Sequence, residues 1–131
     1  MEFTFHRAID MCVNPLDSID ELVNIGVKRI LTSGQKQKAV DGLDMIASMV
    51  KKSASRIIIM PGAGINENNI LKIKNFTLAN EFHLSAQKFI NSEMEFFNHN
   101  LCMGDNSAEN EYGIKQTDNK IIRNIITLLK E

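Results

Sequence analysis

The chain has 131 residues, of which 44% are hydrophobic and 24% charged, a composition typical of one soluble globular domain rather than a disordered or fibrous segment. The formal net charge is -1 and the lysines are scattered, so we expect neither nucleic acid nor an anionic membrane surface as a partner. No apolar stretch approaches the roughly 20 residues of a membrane span, and the N-terminus lacks a signal-peptide pattern. These features predict a cytoplasmic protein.

The first third of the chain predicts a strand, a helix and a second strand. Residues 2–6 alternate between two faces, as in a short strand. Asn14 is placed to cap a helix that has proline at its first position and ends at Gly26. Residues 27–32 then predict a second strand, followed by a short loop.

The middle third predicts a second helix over residues 39–50 and a third strand over 57–60, which breaks into a glycine loop. With no side chain at Gly62 or Gly64, the backbone can turn with positive φ and let an anion approach its N–H groups. Turn geometry alone explains the same glycines, so both interpretations stay open. A third helix is expected to begin near Asn66.

The last third predicts a fourth strand at about residues 80–84, where polar and apolar side chains alternate. Beyond Ser92 the apolar residues lose their regular spacing, and the polar stretch from residue 104 to 113 predicts a mobile loop. A final helix near residues 118–130 has many isoleucines and leucines at helical spacing. We expect its apolar side to need a partner surface.

The predicted order alternates strands and helices, without a hairpin signal between successive strands. This pattern favours parallel strands joined by right-handed crossovers. Two architectures fit, a small open α/β sheet and a segment of a (β/α)8 barrel. The alternation at residues 80–84 favours the barrel, because polar side chains would face its axis and apolar ones the helices.

Four motifs in this chain closely resemble those of the CutC copper-homeostasis family, in that family's order and spacing. They are TFHRAIDM at 4–11, RILTSG at 29–34, IMPGAGIN at 59–66 and EFHLSA at 81–86. The resemblance implies a (β/α)8 TIM-barrel-like α/β fold, truncated to about its last four β/α units. This half-barrel would span residues 2–91, and a C-terminal loop and helix would occupy residues 92–131.

A half-barrel would leave two strand edges and one side of the core open. It could pair with a second copy as a homodimer, pair with a complementing half-barrel on another chain, or be a non-functional truncated fragment. The chain also departs from the family at Phe97, where arginine is usual, and at Ala63, where glycine is usual. The loss of a cation at Phe97 would weaken an anion site that it served.

The predicted strand ends carry a set of candidates for binding a small anionic ligand. These candidates are Arg7, Asp10, Ser33, Gly62, Gly64 and Ser85. Barrel proteins place function at this rim and commonly bind phosphate between the loops after the last two strands. Alternatively, Arg7 and Asp10 form a structural ion pair. Because no nucleophile elbow, Walker loop or zinc-spaced cluster occurs, the sequence predicts no catalytic residue.

Copper is implied by the family resemblance, and Cu(I) prefers thiolate, thioether and imidazole ligands. The candidate metal ligands are His6, His83, Cys12 and Cys102. The alternative roles are structural hydrogen bonding for the histidines and burial as small hydrophobes for the cysteines. In a reducing compartment both cysteines are expected to be thiols.

The leading hypothesis is therefore a CutC-like protein that binds and handles copper inside the cell. One alternative is a TIM-barrel enzyme or sensor for a phosphorylated or carboxylated small metabolite, acting through the glycine loop and the strand-end side chains. The other alternative is a truncated fragment without function.

Overall fold

The computed structural model of the protein describes residues 1–98, 100–101 and 112–130. The chain divides into two compact units. The first unit consists of Met1–Leu84 with the part of the last helix that begins at Ile125, and the second consists of Ser85–Asn124.

The first unit is built on a three-stranded parallel sheet in the order β1-β2-β3. Its strands are β1 (Thr4–Phe5), β2 (Arg29–Thr32) and β3 (Ile58–Pro61). Its helices are α1 (Pro15–Asn24), α2 (Leu43–Ser53) and α3 (Ile70–Thr77). The prediction of an α/β fold with parallel strands is confirmed.

Helix ends in the first unit follow local side-chain chemistry. The Asn14 side chain accepts the N–H of Leu16 at 3.2 Å, and so caps α1 as predicted. The third helix begins later than predicted, at Ile70. Residues 66–69 form a turn before it, in which the Asn66 side chain accepts the N–H of Asn68 and the Asn69 side chain accepts the N–H of Asn66.

The two faces of the sheet differ in burial. Helices α1 and α2 connect neighbouring strands, and right-handed crossovers place both on the same face. Side chains on that covered face are buried: Ile30, Thr32, Ile59 and Pro61. Side chains on the opposite face are only half-buried, and we call it the open face: Arg29, Leu31, Ile58 and Met60. The core of the unit therefore lies between the sheet and its helices.

The predicted fourth strand at residues 80–84 is wrong, since these residues form no strand. The N–H of His83 donates to the carbonyl of Pro61 at 2.9 Å, and no other backbone bond joins β3 to residues 79–84 within the described chain. Pro61 has no N–H, so one rung of a parallel ladder cannot form on this edge. A cavity of about 280 Å³ lies beside this edge, between β3 and residues 78–81.

The second unit contains an antiparallel ribbon that the sequence did not predict. Its strands are β4 (Gln87–Asn91) and β5 (Gly113–Thr117). Ile90 lies opposite Ile114, and the ammonium of Lys115 lies 5.5 Å from the centre of the Phe89 ring. Most of the ribbon is exposed, so it lacks the alternating burial that makes strands recognisable. Residues 104–111 of the predicted loop lie outside the described residues.

The last helix, α4 (Asn119–Lys130), agrees with the predicted position. Asp118 caps it by accepting the N–H of Lys120 at 2.7 Å. In the first unit Ile125 is buried, and the Lys74 ammonium donates to the carbonyl of Leu129 at 2.8 Å. Among the described helices, none is long and apolar enough to span a membrane.

Candidate functional site

A short 3-10 helix, Arg7–Met11, follows β1 and carries two of the predicted site residues. Its first residue is preceded by His6, whose Nδ1 accepts the N–H of Ala8 at 3.0 Å. This cap fixes the start of the helix and places Asp10 against the loop that follows β2.

The Asp10 carboxylate is the centre of a dense hydrogen-bond cluster. It accepts the Thr32 hydroxyl at 2.5 Å, the Ser33 N–H at 3.0 Å and hydroxyl at 2.9 Å, and the Gln35 N–H at 3.1 Å. Arg7 Nε donates to it at 2.9 Å. Burial alone raises the pKa of Asp10, but these hydrogen bonds outweigh burial and hold the pKa below its ordinary value. Asp10 is therefore an anion bound by its own chain.

Arg7 is fixed in place by the same cluster. Its Nη2 donates to the Ser33 hydroxyl at 2.6 Å and to the Lys36 carbonyl at 3.1 Å, in addition to the ion pair with Asp10. The structure thus brings together Arg7, Asp10 and Ser33, as predicted for the rim. It also contains the structural ion pair that we considered as the alternative. The N–H groups of Ser33 and Gln35 already have Asp10 as acceptor.

The glycine loop after β3 has different hydrogen bonding. The N–H of Gly62 donates to the Thr32 carbonyl at 2.9 Å, so this predicted donor is already used. Ala63 and Gly64 both have positive φ, +79° and +71°. Their N–H groups donate to no acceptor within the described part of the chain. The carbonyl of Ala63 accepts the N–H of Ala39 at 3.0 Å, which ties this loop to the segment after β2.

Among the described residues, histidine, cysteine and acidic side chains form no group of three or more that could hold a metal ion. The Nδ1 of His6 is occupied by the Ala8 N–H, so the neutral ring carries its proton on Nε2. His83 is exposed, and Cys12 is a half-buried free thiol. Cys102 lies outside the described residues.

Ser85 belongs to the second unit. Its carbonyl accepts the Thr117 hydroxyl at 3.2 Å, and the neighbouring Ala86 carbonyl accepts the N–H of Asp118 at 2.8 Å. Its described contacts therefore hold the base of the ribbon.

A charged cluster on the open face was not predicted. Arg29 Nε donates to Glu81 at 2.7 Å, and its Nη1 donates to Glu2 at 2.6 Å. These bonds, first to Glu81 and then to Glu2, raise the pKa of Arg29 above its ordinary value. Glu81 thus forms an ion pair with an arginine of β2.

Two lysines near the glycine loop were also missed. Lys36 and Lys38 lie in the segment between β2 and α2, and both are exposed. The Lys38 stem packs over Gly64, where an added Cβ would lie 3.1 Å from Lys38 Cγ. The sequence signal was the pair of lysines two residues apart, directly after a strand-end loop.

Comparison with known proteins shows relatives over most of the chain. The CutC family profile matches residues 1–88. A CutC family protein from Parabacteroides distasonis is 45% identical over 123 residues, which cover 94% of this chain and 51% of that protein. The copper homeostasis protein cutC homolog of Mus musculus is 38% identical over 128 residues, 98% of this chain and 47% of that protein.

A crystal structure of a CutC protein from Streptococcus agalactiae is similar to this chain with a TM-score of 0.60 and 30% sequence identity. The match covers 63% of this chain and 41% of the other. The chain spans about half the length of the curated relatives it matches. Profile, sequence relatives and structure agree, and the chain belongs to the CutC family.

Proposed function

We propose that this protein takes part in copper handling in the cytoplasm, by binding Cu(I) rather than by catalysing a defined reaction. Support comes from its relatives in mouse and human, which carry the name copper homeostasis protein cutC homolog. The observation in this chain that carries the proposal is the free thiol of Cys12, which follows the exposed Met11. Thiolate and thioether are soft ligands suited to Cu(I).

The surroundings of Cys12 favour the thiol over the nearby imidazole as the copper ligand. Within the described part of the chain, its Sγ makes one weak hydrogen bond, to the Ala8 carbonyl at 3.7 Å, and the residue is half-buried rather than enclosed. Met11 is 87% exposed, so its thioether is accessible. His6 instead uses Nδ1 to cap the 3-10 helix, and binding copper there would break that cap.

Cu(I) affinity measured against a chromophoric Cu(I) chelator tests this proposal under reducing conditions. We expect Cys12→Ser to weaken Cu(I) binding about tenfold or more, and Met11→Leu to weaken it less. Met94→Leu is the matched control, because Met94 is also exposed but lies in the second unit. An unchanged Cu(I) affinity in Cys12→Ser would contradict Cys12 as the copper ligand. The Cys102→Ser variant tests the other thiol in the same way.

We also propose that the parallel sheet is part of a half-barrel of the (β/α)8 type. Three observations support this: consecutive parallel strands, helices on one face, and an open face whose side chains are only half-buried. That face would be the barrel interior, completed by a second copy or by a complementing half-barrel. Native mass spectrometry tests completion by a second copy. A monomer at all protein concentrations would rule out the homodimer.

A further inference from the structure

The two loops at the carboxyl edge of the parallel sheet differ in what their N–H groups bind. In the loop after β2, the N–H groups of Ser33 and Gln35 donate to the Asp10 carboxylate. In the loop after β3, the N–H groups of Ala63 and Gly64 have no acceptor in the described chain. We propose that the Ala63 and Gly64 N–H groups and the Lys38 ammonium form a site for a phosphate-like dianion. This proposal is independent of copper binding.

The backbone at residues 63 and 64 supplies the donors. Both residues have positive φ, so two successive peptide groups turn together, an arrangement that forms an anion-binding concavity. Gly64 is exposed and Ala63 half-buried, so this part of the loop lies at the protein surface. The carbonyls point to other partners: that of Ala63 accepts from Ala39, and that of Gly64 accepts the Asn69 side chain at 2.9 Å. The loop is therefore held in place while its donors stay available.

Lys38 supplies a positive charge beside these donors. Its aliphatic stem lies over Gly64, and the next residue, Ala39, is hydrogen-bonded to Ala63. No carboxylate forms an ion pair with the Lys38 ammonium among the described residues. A lysine held beside unpaired N–H groups favours an oxyanion with several acceptor oxygens.

The neighbouring charges favour a dianion over a monocarboxylate. Lys36 follows the same loop and is exposed, and Arg7 is fixed by its bond to the Lys36 carbonyl. The nearest carboxylate in that cluster, Asp10, is already paired with Arg7. Lys36 and Lys38 thus place two positive charges on the segment beside this loop, which raises the local concentration of multivalent anions. The ligand class is a small phosphorylated molecule.

The first test is backbone NMR of the 15N-labelled, copper-free 131-residue chain, titrated with inorganic phosphate and then pyrophosphate at constant ionic strength. We expect the Ala63 and Gly64 N–H signals to shift and saturate. The Ser33 and Gln35 N–H signals are an internal control, because both already donate to Asp10. The absence of a saturable shift at residues 63 and 64, or equal shifts at residues 33 and 35, would overturn the proposal.

The second test compares two lysine substitutions on the same loop. Lys38→Met removes the charge but keeps a stem over Gly64, and we expect it to weaken phosphate binding about fivefold. Lys36→Met removes an equal charge from the same segment, and we expect a smaller loss. Melting temperatures of both variants without phosphate show that each is folded. Equal weakening by the two substitutions would indicate only a diffuse charge effect and would overturn the assignment of Lys38.

Discussion

The loops after β2 and β3 occupy equivalent places in the sheet, and both contain glycine at positive φ, Gly34 at +69° and Gly64 at +71°. In the first, an internal carboxylate takes the N–H groups, and Gly34 donates to the Thr32 hydroxyl at 2.9 Å. In the second, N–H groups stay without an acceptor in the described chain. A glycine loop at a strand end therefore does not by itself indicate an external ligand. The decisive difference is whether the chain supplies its own anion.

The largest effect that would sharpen this comparison is expected at Gly42, which presses against the loop after β2. A Cβ at this position would lie 2.1 Å from the Ser33 carbonyl oxygen and 2.9 Å from Gly34 Cα. Both contacts are to backbone, which cannot move aside without disturbing the Asp10 cluster. We expect Gly42→Ala to lower the free energy of unfolding by about 3 kcal/mol, measured by urea denaturation.

Gly26→Ala is the control for that substitution. Gly26 has φ of +83° but no atom within 4 Å of an added Cβ, so only backbone strain of about 1 kcal/mol is expected. If Gly42→Ala cost no more than Gly26→Ala, the close approach of the loop to Gly42 would not be a constraint on the fold.

The second-largest effect on the free energy of unfolding is expected for Asp10. Asp10→Asn keeps the side-chain shape but replaces an acceptor of five donors with an amide, so we expect a loss of about 2 kcal/mol at pH 7. Folding lowers the pKa of Asp10, so its carboxylate stabilises the folded protein fully at pH values above the pKa of unfolded Asp, roughly 3.9. This stabilisation is lost as the pH falls through the pKa of Asp10 in the folded protein. The difference in unfolding free energy between the two proteins should therefore shrink below about pH 4.

Urea denaturation of both proteins between pH 7 and 3 measures this change. Asp41→Asn is the control, because Asp41 is exposed and a change there should stay within about 0.5 kcal/mol. A loss for Asp10→Asn that stayed constant down to pH 3 would show that the cluster does not depend on the carboxylate charge.

Much of the first unit could be predicted from sequence because its signals are local. Asn14 caps α1, and apolar periodicity located α2 and the strands that pack beneath it. The failure at residues 80–84 has a nonlocal cause. Alternation at Glu81 and His83 is typical of a strand, but pairing also needs a complete edge on β3, and Pro61 lacks the N–H for one rung.

The candidate site shows the same limit. The positions of Arg7, Asp10 and Ser33 at strand ends predicted that they would meet. Their bonds to Lys36 and Gln35 depend on the path of a loop, which residue types alone do not determine. The exposed ribbon was missed because no buried face gave it an alternating pattern.

The smallest predicted effect tests the loop after β3. Ala63 has φ of +79°, where a side chain costs about 1 kcal/mol relative to glycine. Ala63→Gly removes this strain, but glycine also makes the unfolded chain more flexible, which offsets part of the stabilisation. We therefore expect Ala63→Gly to stabilise the protein by about 0.5 kcal/mol. Ala47→Gly, inside α2, should instead destabilise it by about 1 kcal/mol. Phosphate binding should survive Ala63→Gly because the N–H remains, and a loss of binding with intact stability would mean that the alanine side chain, rather than the backbone, forms the site.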